Sequence, residues 1–480
     1  MANLADSIEK IVREELSPGI QDALVELDPL FADIKQNTRS ASQSEIGRDW
    51  KAIMTFITSL AGSLRAEADT AIEGDGLSYG TGAGEPAVIY SPSVTWPSIA
   101  ESPAPGYVQR TIQLKRWKGN MFVPHDILRA DRLTASIGSQ VAATIKQTAR
   151  MVAHHKANLF MASNATTRPL GVISAVITNG TTSQADAVVS LKTSTPLRRL
   201  QPGMVVDVHD ASNSWVQLND QTAAENVVIV KAVDPVTGYV TLTHTISTGR
   251  WAANLAEDDV IVLRKSFDAS GGLGYGPKGP MYWMVNSGSV YGLNTAYYPQ
   301  FKSLIQAVSG TLTNEVLRKY IGTYMNARSV GWWPDTLLTT SGVLSDYVGE
   351  TDDIQRFQVQ GAPVNVRGGF AAGTTFTYDG RTFPIRTSAL MPGGELWGLR
   401  LKGNITRYTP PKLPGAGSSG EFDGDIEFVA PLGGLKGIWK HTTVNDALSP
   451  YVEAPFECIE EYAPEIIPGI RLTGLTEWTA

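Results

Sequence analysis

Cysteine is nearly missing from this chain: Cys458 is the only one in 480 residues. No intramolecular disulfide can form, which excludes the oxidised framework of many secreted proteins. Charge is also sparse, at 18% Asp, Glu, Lys and Arg, against roughly 25% in an average globular chain. A surface largely covered by partners has that character. Forty basic residues face 47 acidic ones, for a formal net charge of −7. A chain gripping nucleic acid through phosphates needs clustered Lys and Arg, and only the short groups Lys115-Arg116-Trp117-Lys118 and Arg198-Arg199 occur here. No long apolar run is present, and residues 1–20 mix acidic, basic and apolar side chains. That stretch reads as neither a signal peptide nor a membrane span, so synthesis and folding in a cytoplasm are expected. Internal repeats are lacking too, which argues against a fibre or solenoid.

What is present is a rich supply of turns, with 46 Gly and 27 Pro, and 42% hydrophobic residues, ample for a large core. Length sets a prior of roughly three structural units. The longest periodic pattern runs from Ser136 to Ser163, where Ile137, Val141, Ile145, Ala149, Val152, Lys156 and Leu159 recur at three- and four-residue steps. This predicts a helix roughly 40 Å long. Before it, 86–96 and 107–122 are rich in Val, Ile, Tyr, Thr and Trp and flank a turn-rich segment at 97–106. They read as two long strands joined at a tip that reaches another subunit. Residues 2–64 read as a segmented helical arm, with Ile8, Ile11, Val12 and Leu16, then Ile53, Phe56, Ile57 and Leu60, at helical spacing. Such an arm must lie on its own chain, on a neighbour, or on both.

After the long helix, short strands at 203–208, 227–233, 239–243 and 260–263, with a turn at 234–238, predict a small β module. Its Trp215 and Trp251 offer a stacking surface, although buried packing is the commoner fate of such side chains. Thr313, with Glu315 in the first turn, reads as the cap of a helix whose apolar face is Val316, Leu317, Tyr320, Ile321, Tyr324 and Met325. A strand ending at Leu338 and a second helix capped by Thr340 or Ser341 follow, and from Gly361 onward the chain reads mostly as strand and turn.

Three patterns suggest chemistry. Residues 274–279 match G-x-G-x-x-G in letters, but Pro277, Pro280 and Tyr282-Trp283 argue for turn and strand where dinucleotide binding needs a helix N-terminus. Glycines relieving a tight connection are the better account. His154 and His155 sit about 100° apart on the long helix and cannot serve one metal together; one is expected to pack and the other to be solvated. Glu421, Asp423, Asp425 and Glu427 alternate and would share one face of a strand, where they could meet a basic surface on a neighbour or hold a divalent cation. A solvated acidic face is the plainer reading. No nucleophile, histidine and carboxylate are tied together by spacing, and no cofactor or metal is assigned.

The arrangement resembles the major capsid protein of tailed bacteriophages, the Hong Kong 97 type of fold. Residues 117–128 look like the strand returning from an extended loop into the long helix, 169–173 like the exit from that helix, and 298–324 with 334–338 like the entry to an axial domain. The resemblance implies an α+β chain with an N-terminal arm at 1–66, an extended loop at 67–125, and a peripheral domain at 126–189 and 411–480 containing the spine helix. An axial domain at 267–410 completes it, and the small β-barrel at 190–266 departs from the minimal pattern as an insertion. It further implies a non-enzymatic subunit that self-assembles as pentamers and hexamers into an icosahedral head around double-stranded DNA held without sequence-specific contacts and without a membrane. Portal, scaffolding and decoration proteins would be partners, the virion the location, and the host cytoplasm the place of assembly. Lys115, Arg116, Trp117, Lys118, Glu421, Asp423, Asp425 and Glu427 are the candidate inter-subunit residues. Some relatives cross-link through a loop lysine; Lys115 and Lys118 lie in that region, with ordinary surface lysines as the plainer reading.

Two other readings compete. A nanocompartment of the same fold would enclose an enzyme and bind a cargo peptide. A β-rich carbohydrate-binding or carbohydrate-active protein would be a monomer or small oligomer with paired carboxylates about 5–10 Å apart in a cleft.

Overall fold

The computed structural model describes residues 23, 28, 30–31, 42–43, 50–59, 106–124, 136–162, 170–179, 186–192, 197–210, 212, 216–218, 227–244, 251, 254–264, 266–268, 273–274, 276–326, 333–358, 375–408, 426–428, 440–444, 447–464 and 469–477. Helix α1, Ser136–Ala162, lies where its 3.6-residue pattern puts it. One face is small and apolar: Ala149, Val152, Ala153, Ala157, Phe160 and Met161 are buried. Alanines on that face allow close approach, and the large contact comes near the C-terminal end. There the Phe160 ring meets Tyr462 edge-on at 5.0 Å and Trp283 at 5.6 Å, a geometry favoured by the ring quadrupoles.

Gly279 shows how tight this packing is. A Cβ built on it would stand 1.8 Å from the Phe160 carbonyl oxygen, so no other residue fits. The short helix Pro280–Trp283 begins at that point. The expectation of strand there is corrected: proline at N1 supplies a helical φ and gives up only a donor with no intrahelical partner. The conclusion drawn from the glycines stands, because the Phe160 backbone fills the space beside the last one.

Beyond α1 the chain builds a closed ring of six strands. Gly171–Thr178, Ala187–Leu191, Tyr239–His244, Val228–Asp234, Val205–Asp210 and Val260–Leu263 pair in that order, all antiparallel, and the last pairs back to the first. Alternation aims one side of each strand inward. Val189, Val206, Val208, Val228, Val230, Val240, Leu242 and Ile261 are wholly buried there, and Trp251 joins them. Trp251 packs edge-on against His244 at 4.5 Å, so it is a core residue and presents no stacking surface; Trp215 lies outside the described residues. The first two strands of the ring begin before residue 190, the expected start of the module. Their alternating apolar residues close the circle.

A mixed six-stranded sheet forms a second body. Its order is Leu304–Gly310, Ile470–Leu475, Leu396–Leu399, Thr336–Thr339, Arg381–Thr387 and Thr375–Tyr378. Helices α2, Asn314–Asn326, and α3, Ser341–Gln358, pack with it through Leu317, Ile321, Tyr324, Val343, Leu344 and Tyr347. The expected caps are in place, since Thr313 Oγ1 accepts from the Val316 N–H at 3.1 Å and Thr340 Oγ1 from the Val343 N–H at 3.5 Å. The strand Ile470–Leu475 belongs to this sheet. Its buried Ile470 and Leu472 complete the sheet's core, held on one side by parallel and on the other by antiparallel pairing.

The third unit is organised by one long strand, Ala447–Pro464, which pairs antiparallel with Lys115–Pro124, Ile405–Tyr408, Ile426–Phe428 and Lys440–Val444. Just upstream, Gly106–Gln113 pairs antiparallel with Trp50–Ser59. Residues 50–59 are therefore a strand, not the helix their Ile53, Phe56 and Ile57 suggested. Extended pairing satisfies their backbone across ten residues, whereas an isolated short helix is marginal. The expected mate at 86–96 lies outside the described residues. Part of the N-terminal arm is seen on its own chain: Ala23, Leu30 and Phe31 are buried in the core with α1, and Asp28 accepts hydrogen bonds from the Leu30 N–H at 2.9 Å and from the Ser388 hydroxyl.

Candidate functional site

The basic tract expected to face a neighbour lies on the strand Lys115–Pro124, in register with the long strand of its own subunit. Lys115 is opposite Glu460, Arg116 opposite Ile459, Trp117 opposite Cys458 and Lys118 opposite Glu457. Glu457 has Glu427 across from it on its other side. Directly opposed unlike charges favour pairing in an antiparallel sheet, so the sequence placed a cation of this tract beside an anion of the long strand twice. Glu427 alone of the four alternating acidic residues sits on a described strand; Glu421, Asp423 and Asp425 lie outside the described residues.

Where α1 crosses the long strand, three charges are buried together. Lys156 Nζ is 2.6 Å from Glu460 Oε2, and the Arg407 guanidinium reaches the same oxygen at 2.7 Å. The Tyr462 hydroxyl donates to it at 3.2 Å. Burial alone would raise the Glu460 carboxyl, but Lys156 and Arg407 outweigh it and hold the group below the ordinary carboxylate range. The apolar stripe reading of α1 included Lys156, and the side chain is indeed buried, with its charge neutralised by a strand some three hundred residues away in sequence.

A second polar joint fixes the strand ring to the rest. The 3₁₀ turn Leu197–Arg199 lies against α1. His154 Nε2 is 3.0 Å from the Arg198 carbonyl, and Asn158 Nδ2 donates to the Arg199 carbonyl at 2.9 Å. Asn158 also contacts His154 Nδ1 at 3.1 Å, which suits a neutral imidazole protonated at Nε2. Arg199 is buried, and its Nε and Nη2 both donate to the Leu390 carbonyl, at 2.9 and 2.6 Å. Burial lowers Arg199 to about 10, opposed by Glu395. His154 is buried and His155 half-buried; burial lowers His154, and burial followed by the neighbouring His154 lowers His155 to about 4. The packed histidine is His154, and the other is partly covered instead of fully solvated.

A hollow of about 410 Å³ opens at one end of the six-stranded sheet, where sequence reading singled out nothing. Trp333, Pro334 and Asp335 lead into one strand, Arg381 begins the next, and Arg400 and Lys402 follow a third. Asp379 and Gly380, both at positive φ, make the hairpin turn that delivers Arg381. The Asp-Gly pair between strand-forming residues was the available signal. The Arg381 guanidinium lies 3.5 Å from the centre of the Trp333 ring. Asp335 spends its oxygens on the Leu401 and Lys402 N–H groups, at 2.9 and 2.8 Å. The hollow thus presents cations around a stacked indole.

Among the described residues no group of three or more His, Cys, Asp and Glu is placed to hold a metal ion, and no helix is long and apolar enough to cross a membrane.

No protein-family model matches the chain, and no curated protein matches it. Its neighbours among solved structures include phage capsid proteins. It is similar to a chain of the cyanophage A-1(L) capsid asymmetric unit, at 10% identity over 94% of this chain and 93% of that one, with a TM-score of 0.41. It is also similar to the capsid of a native GTA particle, at 9% identity over 92% and 89%, with a TM-score of 0.35. The SrpI encapsulin of Synechococcus elongatus PCC 7942 is similar at 15% identity over 39% of this chain and 61% of that one, with a TM-score of 0.22.

Proposed function

We propose that this chain is the subunit of a closed protein shell, the major capsid protein of a tailed phage that packages double-stranded DNA. Its role is assembly, not catalysis. In this reading the strand ring is an inserted barrel, the six-stranded sheet with α2 and α3 is the axial domain, and α1 with the long strand forms the peripheral domain. The observation that carries the proposal is the route of the chain around α1. Strands Trp50–Ser59 and Gly106–Gln113 run side by side, residues 60–105 connect them, and the chain then returns along the long strand into the helix. A paired excursion rooted on a rigid helix and sheet suits a subunit that clasps its neighbours. Repeated weak contacts in a closed symmetric assembly sum to a stable shell. Lys115, Arg116, Trp117, Lys118, Glu421, Asp423, Asp425 and Glu427 are the proposed contact residues, and portal, scaffolding and decoration proteins the proposed partners.

Electron microscopy of the concentrated protein, with light scattering for mass, tests this reading. Uniform shells, tubes, or rings of five or six subunits are expected. A compact monomer across a range of salt and pH would overturn it. Shells filled with one enzyme instead of nucleic acid would move the assignment to a nanocompartment.

A further inference from the structure

We infer that the hollow bounded by Trp333, Arg381, Arg400 and Lys402 is a docking pocket for the acidic segment 421–425 of a second copy of this chain. The inference rests on the shell reading.

The pocket is preorganised for carboxylates. An arginine stacked flat on an indole loses much of its conformational freedom, while its in-plane N–H groups remain able to grip a carboxylate. Among the described residues, neither Arg381 nor Lys402 has an ion pair, and the one carboxylate lining the hollow, Asp335, is engaged through both oxygens by two backbone donors. Burying such cations against a partner without carboxylates would be costly. A complementary acidic segment turns that cost into specificity.

The chain carries such a segment. Between Lys412 and Lys436 there is no basic residue, and Glu421, Asp423, Asp425 and Glu427 fall in that interval with Phe422 among them. Pairing geometry points to a neighbour as the source. Ile426 is opposite Cys458, and Ile405 is opposite Pro464. The two anchors lie about 20 Å apart along the long strand at about 3.3 Å per residue. Ile405 follows Lys402 by three residues, so the Ile426 anchor from which a subunit's own acidic segment departs is held away from its own pocket, whereas adjoining copies in a shell can bring one chain's acidic segment to the next chain's cations.

The test uses the assembled full-length protein, with the native cysteine removed by Cys458→Ser and a new pair introduced by Lys402→Cys and Asp423→Cys. After mild oxidation, a ladder of dimers and higher species on a non-reducing gel is expected. Intact particles that yield only an intrachain bond, or no bond, would overturn the pocket and leave the shell reading standing. Absence of particles from the unsubstituted protein would overturn both. A second set guards against a folding defect. Arg381→Glu with Lys402→Glu should abolish particles, and adding Glu421→Lys with Asp423→Lys should restore them. Failure of that restoration would also overturn the proposal.

Discussion

Glu460 is the residue on which the helix and the long strand depend most directly. Its folded-state pKa is held below the ordinary value, so it contributes stability at pH above the carboxylate range, and that contribution is lost as pH falls through the folded value. Removing Lys156 leaves Arg407 to neutralise it. Lys156→Met should therefore destabilise by about 3 kcal/mol, the low end for breaking a buried ion pair, read by urea unfolding at pH 7. His155 behaves in the opposite chemical sense with the same pH trend. Neutral in the fold down to about 4, it takes up a proton near 6.5 once unfolded. Stability is full above 6.5 and falls as pH drops from there toward 4, by on the order of 3 kcal/mol for this one group. His155→Gln should flatten that stretch of the stability-against-pH curve; an unchanged slope would assign the acid sensitivity elsewhere. Sequence exposed part of this. Period marked Lys156 as inward-facing, but its partners Arg407 and Glu460 come from distant strands, and no local pattern names a pairing that only tertiary packing creates.

At the scale of elements, helices were legible and long-range strands were not. The bounds of α1 and the caps of α2 and α3 follow from period and local side-chain hydrogen bonds, which a short window contains. The segment Trp50–Ser59 was misread because Ile53, Phe56 and Ile57 fit a helical stripe as well as a strand, and the deciding term is pairing with a partner some fifty residues on. The strand Ile470–Leu475 shows the same dependence on distant partners: its neighbours in the sheet come from 304–310 and 396–399. Of the candidate contact residues, Lys115 to Lys118 and Glu427 were found as charged positions, and the structure adds their register. The hollow around Trp333 was invisible because its indole and its cations border three separate strands. The joint between ring and body makes a prediction of its own. Arg199→Met deletes two hydrogen bonds to a buried carbonyl, a loss of about 1–3 kcal/mol. Faster amide exchange confined to 197–200 and to the segment around Leu390 is expected, with strands of the ring still protected. Exchange spread through the whole ring would mean that the turn supports its folding and not merely its docking.

For the whole molecule, the ring of strands enters and leaves at one place. Gly171 and Ile261 are paired residues, and the Leu170 N–H donates to the Ile261 carbonyl at 2.7 Å. Replacing 171–261 by a short glycine-rich linker should leave a soluble body whose α1, long strand and six-stranded sheet retain their circular-dichroism signature. Aggregation of that shortened chain would contradict the separation of ring and body. The groups uncovered on the body, His154, Asn158 and the Leu390 carbonyl, are polar and can be hydrated. Salt gives a second check at this scale. Contacts between exposed opposite charges weaken when the screening length falls to about 3 Å at 1 M, so the pocket contact predicts particles that loosen in high salt while subunits keep their fold, measured by light scattering beside intrinsic fluorescence.

The neighbouring ends of that ring bear on ancestry as much as on stability. A segment whose two borders touch can be acquired, exchanged or dropped in one recombination event, because the chain on either side still meets without a gap. Selection can then act on the ring at its own pace while the helix, the long strand and their buried charges stay as they are.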